Sequence, residues 1–146
     1  MTVKSKVLFL CTGNSCRSQM AEGWARHLKG DSIEAWSAGT KPHAVDPRAI
    51  KVMAEAGVDI SGQASKHALD IINIPFDLVV TVCDAAREAC PIFPGRMKIV
   101  HRGFEDPPRM AKTGATEEEI LAHYRSVRDE IRDFVKTLPD AYSTPE

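Results

Sequence analysis

The chain has no long apolar run, and nothing in it approaches the ~20 residues that a helix needs to cross a bilayer. The apolar stretch near its start is too short for the core of a signal peptide and ends in polar residues. An excess of one charge is also missing. Nineteen basic and 20 acidic residues leave a formal net charge of −1 with no basic stripe, which argues against nucleic acid or an anionic membrane as the main partner. Zinc spacings are absent. Cys11, Cys16, Cys83 and Cys90 form no Cys-x-x-Cys pair, and none of His27, His43, His67, His101 and His123 stands at finger spacing to them. Each histidine reads as a surface or structural residue. There is no repeat, no linker and no Gly-Lys-Ser/Thr of a nucleotide-binding loop. What remains is one domain over residues 1–146, with a tail frayed from about 140, whose 43% hydrophobic content suffices for a real core. The cytoplasm is the expected location, since cysteines there stay reduced unless chemistry uses them.

Against these absences one stretch stands out, Val7-Leu8-Phe9-Leu10-Cys11-Thr12-Gly13-Asn14-Ser15-Cys16-Arg17-Ser18. The apolar run Val7–Leu10 reads as a buried strand. Beyond Arg17, residues Met20, Ala21, Trp24, Ala25 and Leu28 recur at helical spacing, and Gly30 follows as a stop. A polar loop between a strand's carboxyl end and a helix N-terminus is where open α/β sheets bind anions. Residues Thr12, Gly13, Asn14, Ser15, Cys16 and Ser18 would wrap a tetrahedral oxyanion, with Cys11 beneath it and the Arg17 guanidinium beside it. The helix end and Arg17 both favour a thiolate at Cys11. Gly13 is expected to supply an unusual backbone angle, Asn14 and Ser15 to brace the loop, and Ser18 to donate to the Cys11 sulfur.

Strand and helix signals alternate along the rest of the chain, which points to a parallel α/β sheet. Strands are expected at Ile33–Ser37, Asp77–Cys83 and Met97–His101. Helices are expected from Pro47 to Ala56, capped by Asp46 and closed by Gly57, and from about Ser65 to Ile72. Residues 102–114 read as a loop rich in Gly and Pro. Thr116 and Glu119 form a capping box that opens a long helix, with Ile120, Leu121, Tyr124, Val127, Ile131, Phe134 and Val135 on one face.

Parallel strands ending on Cys11 and Cys83 would bring both thiols to one sheet edge. Cys83 and Cys90 bracket a segment of good helix formers. Seven residues of helix rise about 10.5 Å, whereas a disulfide needs Cα atoms within roughly 7 Å. Bonding this pair therefore requires the segment to unwind, which suggests a redox-coupled switch. Cys16 reads as loop packing. At the same edge Asp106, stiffened by Pro107, is placed to protonate a departing oxygen, with Glu105 as its competitor.

At Cys11–Trp24, Ser37-Ala38-Gly39, Asp77–Cys83, Cys90-Pro91 and Gly103–Pro107 the chain resembles the thioredoxin-coupled arsenate reductases, which are built on the low-molecular-weight protein tyrosine phosphatase fold. The resemblance implies a single-domain four-stranded parallel sheet flanked by helices. It implies arsenate as substrate, phosphate and sulfate as competing anions, and a role in arsenic detoxification. It also implies a relay in which Cys11 is the nucleophile, Arg17 holds charge, Asp106 is the acid, and Cys83 and Cys90 carry the disulfide to thioredoxin. No bound cofactor is implied, and a monomer is expected. Some members bind potassium beside the loop through Asn, Glu and Ser plus a hydroxyl and a carboxylate. Asn14, Glu22 and Ser37 match, but Ala64 and Lys66 do not. The expectation is therefore no metal, with the Lys66 ammonium in the ion's place.

Two alternatives stay open. A low-molecular-weight tyrosine phosphatase would use only Cys11, Arg17 and Asp106. However, Pro108 and Arg109 replace the aromatic residues that usually follow Asp-Pro in such enzymes. Weak phosphatase side activity is compatible with either enzyme. A non-enzymatic oxyanion or redox sensor would use the Cys83–Cys90 switch once, without turnover.

Overall fold

The structure is a computed structural model. It describes residues 4–83, 86, 88, 90–91, 93–95, 97–110 and 114–139. Four parallel strands, β1 (Ser5–Cys11), β2 (Ile33–Gly39), β3 (Leu78–Thr81) and β4 (Lys98–His101), form one sheet in the order β2-β1-β3-β4. The helices whose bounds lie among the described residues are α1 (Arg17–Lys29), α2 (Pro47–Glu55), the short α3 (Pro107–Met110) and the long α4 (Glu117–Val135). No helix among the described residues is long and apolar enough to cross a membrane.

The central strands are apolar because helices and loops cover the sheet, as parallel sheets require. Val7 to Leu10 and Leu78 to Thr81 are all buried. The edge strand β4 is only half covered and leaves Ile99 in solvent. α1 packs on the sheet and on α4, and α4 also packs on α2. The caps are those the sequence implies. Asp46 accepts from the Arg48 N–H at the start of α2, and Gly57 follows its end at φ 84°. Thr116 and Glu119 form the reciprocal box that opens α4.

Three expectations need correction. The third strand stops at Thr81, so Cys83 lies just past it. The helix expected from Ser65 to Ile72 is only a 3₁₀ turn over Ala68–Ile71. Residues 64–66 cannot join it, because they are spent on the loop: the Lys66 N–H donates to Asn14 Oδ1 and its carbonyl accepts from the Gly39 N–H. The segment from 102 to 114 is not all loop, since Pro107–Met110 makes one helical turn. Gly30 closes α1 as expected, in a right-handed conformation at φ −55°. The helix-forming run between Cys83 and Cys90 and the tail from 140 lie largely or wholly outside the described residues.

Candidate active site

β1 delivers Cys11 to the carboxyl edge of the sheet, and α1 begins six residues later at Arg17. The loop between them is held from outside by the segment that follows β2. The N–H groups of Thr40, Lys41, His43 and Asp46 donate to the carbonyls of Cys11, Thr12, Gly13 and Ser15 at 3.3, 2.9, 2.7 and 2.9 Å. The Asn14 carbonyl accepts from Gln19 Nε2 and Ser65 Oγ. A planar trans peptide points its N–H opposite to its C=O. Tying these five carbonyls outward therefore turns the N–H groups of residues 12–16 the other way. The Asn14 N–H does reach the Cys11 sulfur, at 3.2 Å.

The strained position of the loop is Asn14, at φ 47°, and not Gly13 as the sequence suggested. Asn tolerates that left-handed region better than most residues. Its side chain is fixed at both ends. Oδ1 accepts from the Lys66 N–H at 2.9 Å, which directs Nδ2 to donate to Ser18 Oγ at 2.9 Å. With Ser18 Oγ already accepting, its proton is left for the Cys11 sulfur, 2.9 Å away. Two donors therefore converge on one buried sulfur. Gly13 matters for another reason: a Cβ there would lie 3.1 Å from the His43 ring.

Arg17 lies largely buried across the loop. Its Nη1 donates to the Phe104 carbonyl at 3.0 Å, and Nη2 lies 3.7 Å from Asp106 Oδ1. Cys11, Thr12, Gly13, Ser15, Cys16, Arg17, His43, Asp106 and Pro108 line one open cavity of about 470 Å³. Asp106 faces this cavity, whereas Glu105 points to solvent.

The remaining thiols differ in setting. Cys83 is buried, and its sulfur lies 3.3 Å from the hydroxyl of Thr12, inside the reach of the loop. Cys90 is half-buried and donates to the Pro91 carbonyl, and burial pushes its thiol up. Burial, followed by the nearby Asp46 carboxylate, raises Cys16 well above the ordinary thiol range against the pull of Arg17, so Cys16 stays protonated. All four cysteines are free.

Behind the loop, Lys66 Nζ donates to the carbonyls of Ser37 and Ala64 at 2.8 and 3.1 Å and lies 3.9 Å from Glu22 Oε1. Glu22 is buried, accepts from Ser37 Oγ and pairs with Arg26 at 2.8 Å. Among the described residues no three His, Cys, Asp or Glu side chains gather as a metal site would need. Sequence reasoning did not find Gln19, Ser65 or His43. Their partners lie far along the chain, and no local pattern marks them.

The family model of the low molecular weight phosphotyrosine protein phosphatases matches residues 6–142. This chain belongs to that family. Within it, the chain is 50% identical over 135 residues to an arsenate reductase of Bacillus subtilis (strain 168), covering 92% of this chain and 94% of that protein. A solved arsenate reductase in the phosphate binding state superposes with a TM-score of 0.75 at 32% identity, covering 95% of this chain and 99% of that one. A thioredoxin-dependent arsenate reductase of Corynebacterium glutamicum superposes at 0.61 and 27% identity, covering 92% of this chain and 61% of that one. The four-stranded parallel sheet flanked by helices is the phosphatase-family fold.

Proposed function

We propose that this protein reduces arsenate to arsenite through three thiols, with thioredoxin as the electron donor. The observation that carries the reading is Cys83. A second buried thiol touches Thr12 of the loop that holds Cys11, and a phosphatase has no use for it. The arsenate reductases among its relatives support the substrate, and the thioredoxin-dependent neighbour supports the donor.

In this scheme the oxyanion sits among the loop N–H groups and the Arg17 guanidinium. The Cys11 thiolate bonds to arsenic while an arsenic–oxygen bond breaks. The departing oxygen takes a proton from Asp106 and leaves as water. Cys83, as thiolate, then attacks the Cys11 sulfur. The sulfur–arsenic bond breaks with its electron pair on arsenic, which departs as arsenite. Cys90 attacks Cys83 and releases the Cys11 thiolate. The Cys83–Cys90 disulfide is reduced by the thioredoxin dithiol, so arsenic gains the two electrons that the dithiol loses. The Lys66 ammonium takes the place of a potassium ion behind the loop. The cytoplasm, which keeps thiols reduced, suits the relay.

Phosphate-ester hydrolysis is the second reading, because Cys11, Arg17 and Asp106 alone suffice for it and the family name describes it. A steady-state assay following NADPH with thioredoxin and its reductase separates these readings. Wild type should turn over arsenate continuously, and Cys83→Ser should lose that turnover and keep any phosphatase activity. Unchanged reduction in Cys83→Ser would refute the relay. A single stoichiometric oxidation in wild type would indicate a sensor.

A further inference from the structure

His43 lines the oxyanion cavity with Cys11, Arg17 and Asp106, yet no step above uses it. Its place is built by the backbone. The His43 N–H donates to the Gly13 carbonyl at 2.7 Å, which pins the residue to the loop. The ring then lies over Gly13, where any side chain would crowd Cδ2. Glycine at 13 thus makes room for an imidazole at the cavity wall.

The cavity has reason to hold a further donor. Arg17 divides its guanidinium between the Phe104 carbonyl and the Asp106 carboxylate. A tetrahedral oxyanion carries charge on several oxygens, and loop N–H groups reach only those that face the loop. An imidazole carries an N–H whether neutral or protonated, so it can donate to an oxyanion in either state.

We infer that His43 is a binding residue of this site. Its imidazole donates to an oxygen of the oxyanion that points away from Cys11. The choice of arsenate as the natural oxyanion rests on the reductase reading above, whereas the anion contact does not.

The test uses inorganic phosphate as probe. Iodoacetamide labelling of Cys11, read by peptide mass spectrometry, gives the phosphate concentration that half-protects the thiol. In His43→Ala this concentration should rise about tenfold, the loss expected for one charge-assisted hydrogen bond, and His43→Gln should recover part of it. The KM for arsenate should rise in parallel. Half-protection within twofold of wild type in both variants would overturn the inference. A wild type protected by phosphate in a His43-dependent way, yet unable to reduce arsenate, would sink the reductase reading and leave this one standing.

Discussion

Lys66 carries its charge on a half-buried side chain. Burial holds its ammonium below the ordinary lysine range, the Glu22 carboxylate opposes that, and Arg26 adds to it. The ammonium is tolerated because two carbonyls accept from it and a buried carboxylate lies nearby. Two outcomes follow if it stands where a cation would sit. Wild-type protein should melt at the same temperature in potassium and sodium chloride at equal ionic strength, and a rise of several degrees specific to potassium would refute the idea. Lys66→Met should lower stability by about 1–3 kcal/mol, because Glu22 stays buried with one cation fewer. The loop residues from Cys11 to Ser18 were legible because they sit within eight consecutive positions and each has its own chemistry. The residues that hold them were not. Gln19 meets Ala64, and Asn14 meets Ser65 and Lys66, pairs 45, 51 and 52 positions apart. Glutamine and serine advertise nothing until folding brings such partners together. Gly13 was marked for an angle that Asn14 adopts, because the crowding ring of His43 is invisible in a linear string.

Among the elements, α2 is clamped to α4 at both ends. Arg48 grips Glu117 and Arg125 grips Glu55, each through two hydrogen bonds. Between them the Tyr124 hydroxyl donates to Asp46 Oδ2 at 2.5 Å, while the Asp46 N–H holds the Ser15 carbonyl of the loop. Tyr124→Phe should therefore cost about 1–2 kcal/mol near neutral pH, since a half-buried carboxylate loses a donor. Burial, and then the bond to Asp46, hold the Tyr124 phenol well above its ordinary value of about 10. In the unfolded chain Tyr124 loses its proton near that value, but the folded chain keeps it. Above about pH 10 the native state thus binds more protons, and wild-type stability falls with pH by a contribution that the variant lacks. Urea unfolding at roughly pH 8 and roughly pH 11 should show the gap narrowing at the higher pH. A constant gap would mean that the phenol is not held protonated. The caps of α2 and α4 were legible because capping is local. The segment before the 3₁₀ turn was not, because its backbone donors and acceptors go to the loop and to β2 instead of to a helix.

Across the whole molecule, the far helix reaches the site through a chain of contacts. Phe134, near the end of α4, meets the Phe104 ring edge-on at 6.0 Å, and Arg102 lies 4.4 Å over the same ring. The backbone of this segment is tied to β3 and just beyond it, by the Arg102 N–H to the Thr81 carbonyl and the Phe104 N–H to the Val82 carbonyl. Phe104 in turn offers its carbonyl to Arg17. The Arg17 guanidinium is therefore aimed partly by an aromatic pair whose outer member is 117 positions away in sequence, a dependence no motif reveals. Phe134→Ala should destabilise the protein by about 3 kcal/mol, as loss of a core aromatic does. Phe134→Leu keeps most of the volume and should cost less than about 1.5 kcal/mol. It still removes the ring that orients Phe104. At a temperature where Phe134→Leu is fully folded, the KM for arsenate should rise roughly two- to fivefold, the range of a 0.5–1 kcal/mol coupling between distant groups. Thiol–disulfide exchange at Cys83 and Cys90, which does not pass through Arg17, should keep its wild-type rate. A KM equal to wild type in the leucine variant would show that Arg17 is aimed by the loop alone and that α4 serves only stability.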